Sequence, residues 1–166
     1  MTLTEWNVMS AEDAAKAVLP CCGSEAWARG LTGQRPFATF EDLSKASDAV
    51  WLALPERDWV QAFESHPRIG QAHAKAATAK SLAWSEGEQA AANPDDAARA
   101  ALALGNAAYE AKFGRIFIVC ATGKSAAEML VILKKRMEND AATEIREAAE
   151  QQRLITQIRL RKWLQV

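Results

Sequence analysis

Cysteine is scarce in this chain of 166 residues, and the 3 that occur, Cys21, Cys22 and Cys120, form no recognisable pattern. An odd number with two adjacent members excludes a disulfide framework, and neither a C-x-x-C motif nor a Cys/His ligand spacing is present. Free thiols of this kind are typical of a reducing compartment. We therefore expect a cytoplasmic protein.

The chain also lacks long apolar runs and an excess of charge of either sign. No segment approaches the roughly 18 uninterrupted apolar residues of a membrane-spanning helix, and no charged region precedes an apolar run at the start of the chain. The 20 Lys and Arg residues nearly balance 21 Asp and Glu residues, for a net charge of -1. Nothing in the charge pattern favours nucleic acid or a membrane as a partner, whereas a small-molecule partner is compatible with it.

Glycine and proline, the residues that interrupt helices, number only 8 and 5. Alanine is abundant and apolar residues recur mostly at spacings of 3 and 4, which predicts a protein dominated by helix. A chain of this length suits one domain. We expect an all-α fold, a single-domain bundle over residues 1–166 with about seven to nine helices.

Capping residues mark where the helices begin. Starts are expected at Ser10, Ser24, Thr39 and Ser125. Asn139 is expected to cap the last helix, which should run from about Asp140 to Leu164. The inward face of that helix should contain Ile145, Ala148, Gln152, Ile155, Arg159 and Trp163.

Residues 116–120 depart from the helical pattern, because they are five consecutive apolar residues, largely β-branched or aromatic. A buried extended segment is predicted here. Its backbone amides and carbonyls would lack sheet partners in a helical protein. Such a segment can offer main-chain hydrogen bonds to a ligand.

The sequence around His66 predicts a histidine at the exit of a helix. Pro67 disfavours helical geometry in the residue before it, so the preceding helix should end at about Ser65. The partial negative charge of that helix end favours an imidazolium and suits proton chemistry. A histidine here can also serve only to cap the last carbonyls, which is its commoner role when it is considered alone. Pro67 and Gly70 separate His66 from His73, so we expect no metal site.

A second polar group contains Ser85, Glu88 and Gln89. On a helix these three side chains project from one face. The same S-x-x-E spacing also fits a capping box, in which Ser85 and Glu88 bind only the backbone, and the pattern alone favours this cap.

Arg159 lies on the predicted inward face of the last helix, between Ile155 and Trp163. A buried guanidinium needs an anionic partner because an unpaired buried charge is costly. That partner is either an internal acid or a substrate carboxylate, which guanidinium binds with two parallel hydrogen bonds.

Taken together, these features resemble the 2-oxo-4-hydroxy-4-carboxy-5-ureidoimidazoline (OHCU) decarboxylase family over nearly the whole chain. The motifs that underlie the resemblance occur in the family's order: Cys22-Gly23-Ser24 with Trp27, Arg35-Pro36-Phe37, Ser65-His66-Pro67-Arg68-Ile69-Gly70, Ser85 with Glu88-Gln89, Asn106 through Tyr109 to Lys112-Phe113-Gly114, Phe117-Ile118-Val119, and Arg159-Leu160.

The resemblance implies a carboxy-lyase without cofactor or metal, in many members a homodimer, that converts OHCU to (S)-allantoin in urate catabolism. It implies His66 and Glu88 as the catalytic pair and Arg159 as a substrate-binding arginine. Further residues match the lining of the site: Pro67, Ser85, Gln89 and the backbone of Phe117, Ile118 and Val119. The alternative is a non-catalytic helical module that binds a ligand or a partner on the same scaffold.

The chemistry that this family implies is acid–base catalysis. A His66 imidazole that is hydrogen-bonded to Glu88 would act as general acid or base, and Glu88 would fix its tautomer. Arg159, Ser85 and Gln89 would bind polar groups of the substrate.

Overall fold

The computed structural model describes residues 1–68, 79–89 and 96–166. Over these residues the protein contains nine α-helices, one 3-10 turn (Leu19–Cys21) and no β-strand, which confirms the expected all-α class. The helices are α1 (Leu3–Val8), α2 (Ala11–Val18), α3 (Glu25–Thr32), α4 (Phe40–Ala53), α5 (Glu56–Phe63), α6 (Ala79–Gln89), α7 (Asp96–Phe113), α8 (Ala126–Arg136) and α9 (Ala141–Leu164). No helix among the described residues is long and apolar enough to cross a bilayer.

The chain divides into two compact units. The first unit comprises Met1–Ala62 with Arg153–Val166, and the second comprises Phe63–Gln152. Helix α9 therefore supplies its N-terminal half to the second unit and its C-terminal half to the first.

The first unit has an aromatic core built around Trp6. Its ring stacks on Phe37 with centroids 6.2 Å apart and meets Trp163 edge-on at 5.6 Å. Trp27 and Trp51 are buried as well. Aromatic pairs in these offset and edge-on arrangements stabilise a core beyond the apolar area that they remove from water.

The second unit packs α7 and α8 around the non-helical segment that follows α7. Gly114, with φ +72°, ends α7 in the left-handed conformation that glycine adopts without strain. Residues 116–120 are neither helix nor strand, as expected. Among the described residues, the core of this unit includes the cluster Leu102, Tyr109, Phe117, Val119, Ala121, Ala126, Met129 and Leu133.

Four of the nine helices described start at the predicted caps. The side chains of Ser10, Ser24, Thr39 and Ser125 each accept a hydrogen bond from the backbone N–H three residues later. These contacts are local, which is why the sequence predicts them. All six residues of the predicted inward face of α9 are buried.

The predicted cap of α9 is wrong, and α1 was not anticipated. Asp140 caps α9, since its Oδ1 accepts a hydrogen bond from the Thr143 N–H at 2.7 Å. The Asn139 amide instead donates to Glu144 Oε2 at 2.9 Å. Helix α1 begins with a capping box between Thr2 and Glu5.

Candidate active site

His66 lies just beyond α5 and is withdrawn from water. The helix ends at Phe63, slightly before the expected Ser65, and the His66 N–H donates to the Phe63 carbonyl at 3.2 Å. Only 8% of His66 is exposed, and Pro67 is also buried. The imidazole therefore stands at a helix exit in a constrained backbone.

The residues after His66 are tied to α7 by an ion pair. Arg68 donates from Nε to Glu110 Oε2 at 2.9 Å and from Nη2 to Oε1 at 2.5 Å. A guanidinium that bonds a carboxylate through two nitrogens has a defined orientation. This pair restricts the backbone at Pro67 and Arg68, directly after the histidine.

The imidazole itself is hydrogen-bonded to a residue that sequence reasoning did not assign to the site. Its Nε2 lies 2.7 Å from Oε1 of Gln152, which is fully buried on α9. The pattern marked Gln152 only as inward-facing. The two residues are 86 positions apart, so no local signal connects them.

Ser85 and Glu88 lie on α6 and are both buried. The Ser85 hydroxyl donates to the Ser81 carbonyl one turn earlier, at 3.0 Å. Because Ser85 lies inside the helix rather than at its start, the favoured capping box is wrong. Glu88, three residues later, projects from the same face of α6. The side chain of Gln89 lies outside the described part of the structure, and the His66–Glu88 hydrogen bond stays a prediction.

Side chains, rather than a sheet, hold the extended segment. The Ile118 carbonyl accepts a hydrogen bond from Arg136 Nη1. The Cys120 N–H donates to Gln151 Oε1 at 2.9 Å, and its carbonyl accepts from Lys124 Nζ at 2.6 Å. These bonds fix the backbone on both sides of Val119.

Arg159 belongs to the first unit, where it is fully buried. Its Nη1 donates to the Pro20 carbonyl at 3.3 Å. Its charge also acts on the neighbouring Cys22 thiol: burial raises the pKa of Cys22 to about 12, and hydrogen bonds from Ser24 and Thr156 and the charge of Arg159 oppose that rise. The other residues of the predicted site that the structure describes, His66, Pro67, Ser85, Glu88 and Phe117 to Val119, lie in the second unit.

Metal ligands were not expected. Within residues 1–68, 79–89 and 96–166, no group of three or more His, Cys, Asp and Glu residues is arranged to hold a metal ion. His73 lies outside these ranges.

The described part of the second unit thus contains a buried imidazole, a buried hydroxyl and a buried carboxylate, those of His66, Ser85 and Glu88, within an all-helical fold. The family profile described as OHCU decarboxylase matches residues 7–161. The chain belongs to the OHCU decarboxylase family.

Relatives from three organisms agree with this assignment. A 2-oxo-4-hydroxy-4-carboxy-5-ureidoimidazoline decarboxylase of Amia calva is 32% identical over 136 residues, covering 79% of this chain and 75% of that protein. The uric acid degradation bifunctional protein TTL of Arabidopsis thaliana is 37% identical over 144 residues, covering 86% of this chain and 44% of that protein. The uric acid degradation bifunctional protein of Bacillus sp. (strain TB-90) is 25% identical over 166 residues, covering 98% of this chain and 32% of that protein. The chain therefore spans less than half the length of the two bifunctional relatives.

Two solved structures share the fold. An OHCU decarboxylase crystallised in the presence of (S)-allantoin superposes with a TM-score of 0.78 at 32% identity, covering 95% of this chain and 100% of that one. An (S)-allantoin synthase superposes with a TM-score of 0.73 at 17% identity, covering 99% of this chain and 54% of that one. The second likeness concerns the fold alone.

Proposed function

We propose that this protein is a carboxy-lyase that decarboxylates OHCU to (S)-allantoin in urate degradation. The observation that supports this most is the likeness, at 32% identity and over 95% of the chain, to an OHCU decarboxylase crystallised in the presence of (S)-allantoin. Burial of His66 and Glu88, the two residues that match the family's catalytic pair, is consistent with the proposal.

The reaction needs little beyond positioned polar groups. When the carboxylate leaves as carbon dioxide, its electron pair stays on the ring, where an adjacent imine delocalises it onto nitrogen. A proton must then be added to a ring carbon, from one face, to give one enantiomer. Binding, polarisation and proton transfer are the tasks that fall to the protein.

His66 is proposed to transfer the proton. A histidine titrates near neutral pH and is the commonest general acid or base. The buried position of His66 limits exchange of that proton with water, which favours delivery to one face of the substrate.

Glu88 is proposed as the second member of the catalytic pair, with Ser85 and Gln89 as ligands of the polar groups of the substrate. Ser85 already donates its hydroxyl hydrogen to the Ser81 carbonyl, so its oxygen is suited to accept a hydrogen bond from the substrate. Pro67 contributes a rigid, buried wall beside His66.

The extended segment is proposed to bind the ring through its backbone. Since Arg136 binds the Ile118 carbonyl and Gln151 binds the Cys120 amide, the amides of Ile118 and Val119 are the groups that we assign to the substrate. The apolar side chain of Phe117 packs in the core and anchors the segment.

Arg159 is proposed, from the family resemblance, to bind an anionic or carbonyl group of the substrate. A guanidinium is suited to this role because it presents several donors in a fixed plane. Substitution Arg159→Met keeps much of the side-chain volume and removes the charge, so KM should rise.

The decisive assay follows OHCU generated in situ from urate by urate oxidase and hydroxyisourate hydrolase. The wild-type protein should accelerate the growth of the circular dichroism signal of chiral allantoin. His66→Asn and Glu88→Gln should lower the rate by roughly 10²- to 10⁴-fold, toward the spontaneous rate. Far-ultraviolet circular dichroism and Tm should change little.

Glu86→Gln is the matched control, because Glu86 is an exposed carboxylate on the same helix, α6. It should leave the rate unchanged. An undiminished rate in His66→Asn would contradict the catalytic assignment. If the wild type binds (S)-allantoin but accelerates nothing, the chain is instead a ligand-binding module on this scaffold.

A homodimer is proposed from the family resemblance. One chain has a mass of 18.1 kDa, and light scattering after size-exclusion chromatography should give twice that mass. A mass of one chain at micromolar concentration would contradict it.

A cytoplasmic location is proposed from cysteine usage. Cys21, Cys22 and Cys120 are all buried and form no disulfide bond, a thiol state that a reducing compartment preserves. Thiol trapping in whole cells, followed by fractionation, should find reduced protein in the cytoplasmic fraction. Recovery from an oxidising compartment would contradict this location.

A further inference from the structure

The contact between His66 and Gln152 assigns a role to a residue outside the predicted site. Imidazole Nε2 and amide Oε1 are 2.7 Å apart, which is the length of a good hydrogen bond. His66 is 8% exposed and Gln152 is fully buried, so water does not compete for this bond. The bond also joins the loop after α5 to the middle of α9.

The chemistry of the two groups determines where the imidazole proton lies. The oxygen of a glutamine amide accepts hydrogen bonds and never donates one. The ring nitrogen that faces it must therefore hold the hydrogen. A neutral imidazole has one N–H, so Nε2 is protonated and Nδ1 has the lone pair.

Gln152 selects the tautomer of His66 without adding a charge beside the ring. A carboxylate in the same place would stabilise the imidazolium and so oppose release of the proton. An amide orients the ring and selects the tautomer while it leaves the charge balance unchanged. This distinguishes Gln152 from the role that sequence analysis gave to Glu88.

We propose that Gln152 is the positioning residue of His66: it holds the Nε2–H tautomer, so that Nδ1 is the nitrogen that exchanges a proton with the substrate. The first half of this proposal concerns the folded protein alone. The second half rests on the proposed decarboxylase function. Because Nε2 is bonded to Gln152, a hydrogen bond from His66 to Glu88 requires a hydrogen on Nδ1 and so belongs to the imidazolium, after Nδ1 has taken up a proton, and not to the neutral ring.

The first test is nuclear magnetic resonance of protein labelled with ¹⁵N-histidine at a pH where the ring is neutral. The chain contains 2 histidines, so His66→Asn identifies the His66 signals by subtraction. The wild type should show a slowly exchanging Hε2 bonded to ¹⁵Nε2. Slow exchange is the informative feature, because it requires the buried hydrogen bond.

Two substitutions and a control complete this test. Gln152→Met removes the acceptor at similar length and should abolish the slowly exchanging Hε2, whereas Gln152→Glu retains an acceptor oxygen and should preserve it. Gln151→Met is the control. It removes the neighbouring amide, which accepts from the Cys120 N–H, and should leave the Hε2 signal in place.

Kinetics test the second half. Gln152→Met should lower kcat at least tenfold, and by no more than the roughly 10²- to 10⁴-fold that acid–base catalysis supplies, with KM nearly unchanged. Gln157→Met is the control on the same helix, because Gln157 binds Ser44 and Asp48 in the first unit. It should leave kcat unchanged.

Each result decides the proposal. A hydrogen on Nδ1 in the neutral wild-type ring, or an Hε2 that persists in Gln152→Met, overturns the tautomer assignment. A normal kcat in Gln152→Met overturns the positioning role. If Gln152→Met does not fold, the wild-type and Gln152→Glu spectra still decide the tautomer. If the wild type shows no turnover, the decarboxylase proposal fails while the spectra remain decisive.

Discussion

Arg136 and Glu144 form a buried ion pair that supports the extended segment of the second unit. Arg136 donates to Glu144 Oε1 from Nε at 2.8 Å and from Nη2 at 2.5 Å, while its Nη1 binds the Ile118 carbonyl. Tyr109 and Asn139 donate to the same carboxylate at 2.5 Å and 2.9 Å. The segment proposed to bind the substrate ring therefore depends on a charge balance in the core.

Glu144→Gln should destabilise the protein strongly. The substitution leaves the Arg136 charge without its anion. It also replaces one acceptor oxygen with an NH2 donor that faces existing donors. Breaking a buried pair in this way costs about 3–5 kcal/mol. Chemical denaturation monitored by circular dichroism measures this loss. Glu12→Gln is the control, since its pair with Lys16 is exposed to solvent and should contribute nothing measurable. Equal stability of the two variants would contradict the central role of the buried pair.

Thr32→Val should stabilise the protein. The Thr32 hydroxyl is buried and has no hydrogen-bond partner within the described ranges. Valine has the same shape and removes the unsatisfied group, for a gain of about 1 kcal/mol. Thr156→Val is the matched control: Thr156 is equally buried in the same unit, but its hydroxyl bonds to the Cys22 thiol, so this variant should lose stability. A loss of stability in Thr32→Val would show that the Thr32 hydroxyl has a hydrogen-bond partner.

Two glycines within helices should respond in opposite directions to alanine. A Cβ at Gly30 would lie 2.9 Å from Val50 Cγ1, closer than atoms approach, and valine has little rotameric freedom to yield. A Cβ at Gly87 meets no described atom within 4 Å. Gly30→Ala should lower Tm, while Gly87→Ala should raise stability by about 0.5–1 kcal/mol through helix propensity. Thermal unfolding measures the Tm of both variants. A change in Tm of the same sign in the two would refute this reading of the α3–α4 contact.

Stability should fall at alkaline pH partly because of Cys22. Burial raises the pKa of its thiol to about 12, whereas an unfolded thiol ionises near about 8.5. Between these values the native state retains a proton that the unfolded chain has lost. The free energy of unfolding therefore decreases as pH rises, by up to about 1.4 kcal/mol per pH unit for this group.

Denaturant titrations between pH 8 and 11 measure this slope. Cys22→Ala should show a shallower decline than the wild type, whatever its stability at neutral pH. Some decline should persist, because burial and a hydrogen bond to Glu144 also raise the pKa of Tyr109. Identical slopes for the two proteins would contradict the assignment to Cys22.

Features that depend on neighbours along the chain were predictable. The caps at Ser10 and Ser125 and the buried face of α9 follow from interactions within about four residues. Local patterns misled where one motif fits two structures. Ser85-x-x-Glu88 has the spacing of a cap, yet Ser85 lies inside α6 and bonds to Ser81. Asn139 and Asp140 are both good caps, and the acid of the pair takes the role because Asn139 binds Glu144.

The catalytic assignment of His66 and Glu88 came from the order of motifs along the whole chain, since each residue alone has a commoner structural role. Local chemistry thus sufficed for the helical class and for four helix starts, while the family came from the order of motifs along the whole chain. Folding determined the partners: Gln152 for His66, Arg136 for the Ile118 carbonyl, and Glu144 for Tyr109. The reason is that a side-chain hydrogen bond between distant positions depends on how helices pack, and no short-range pattern in the chain encodes that packing.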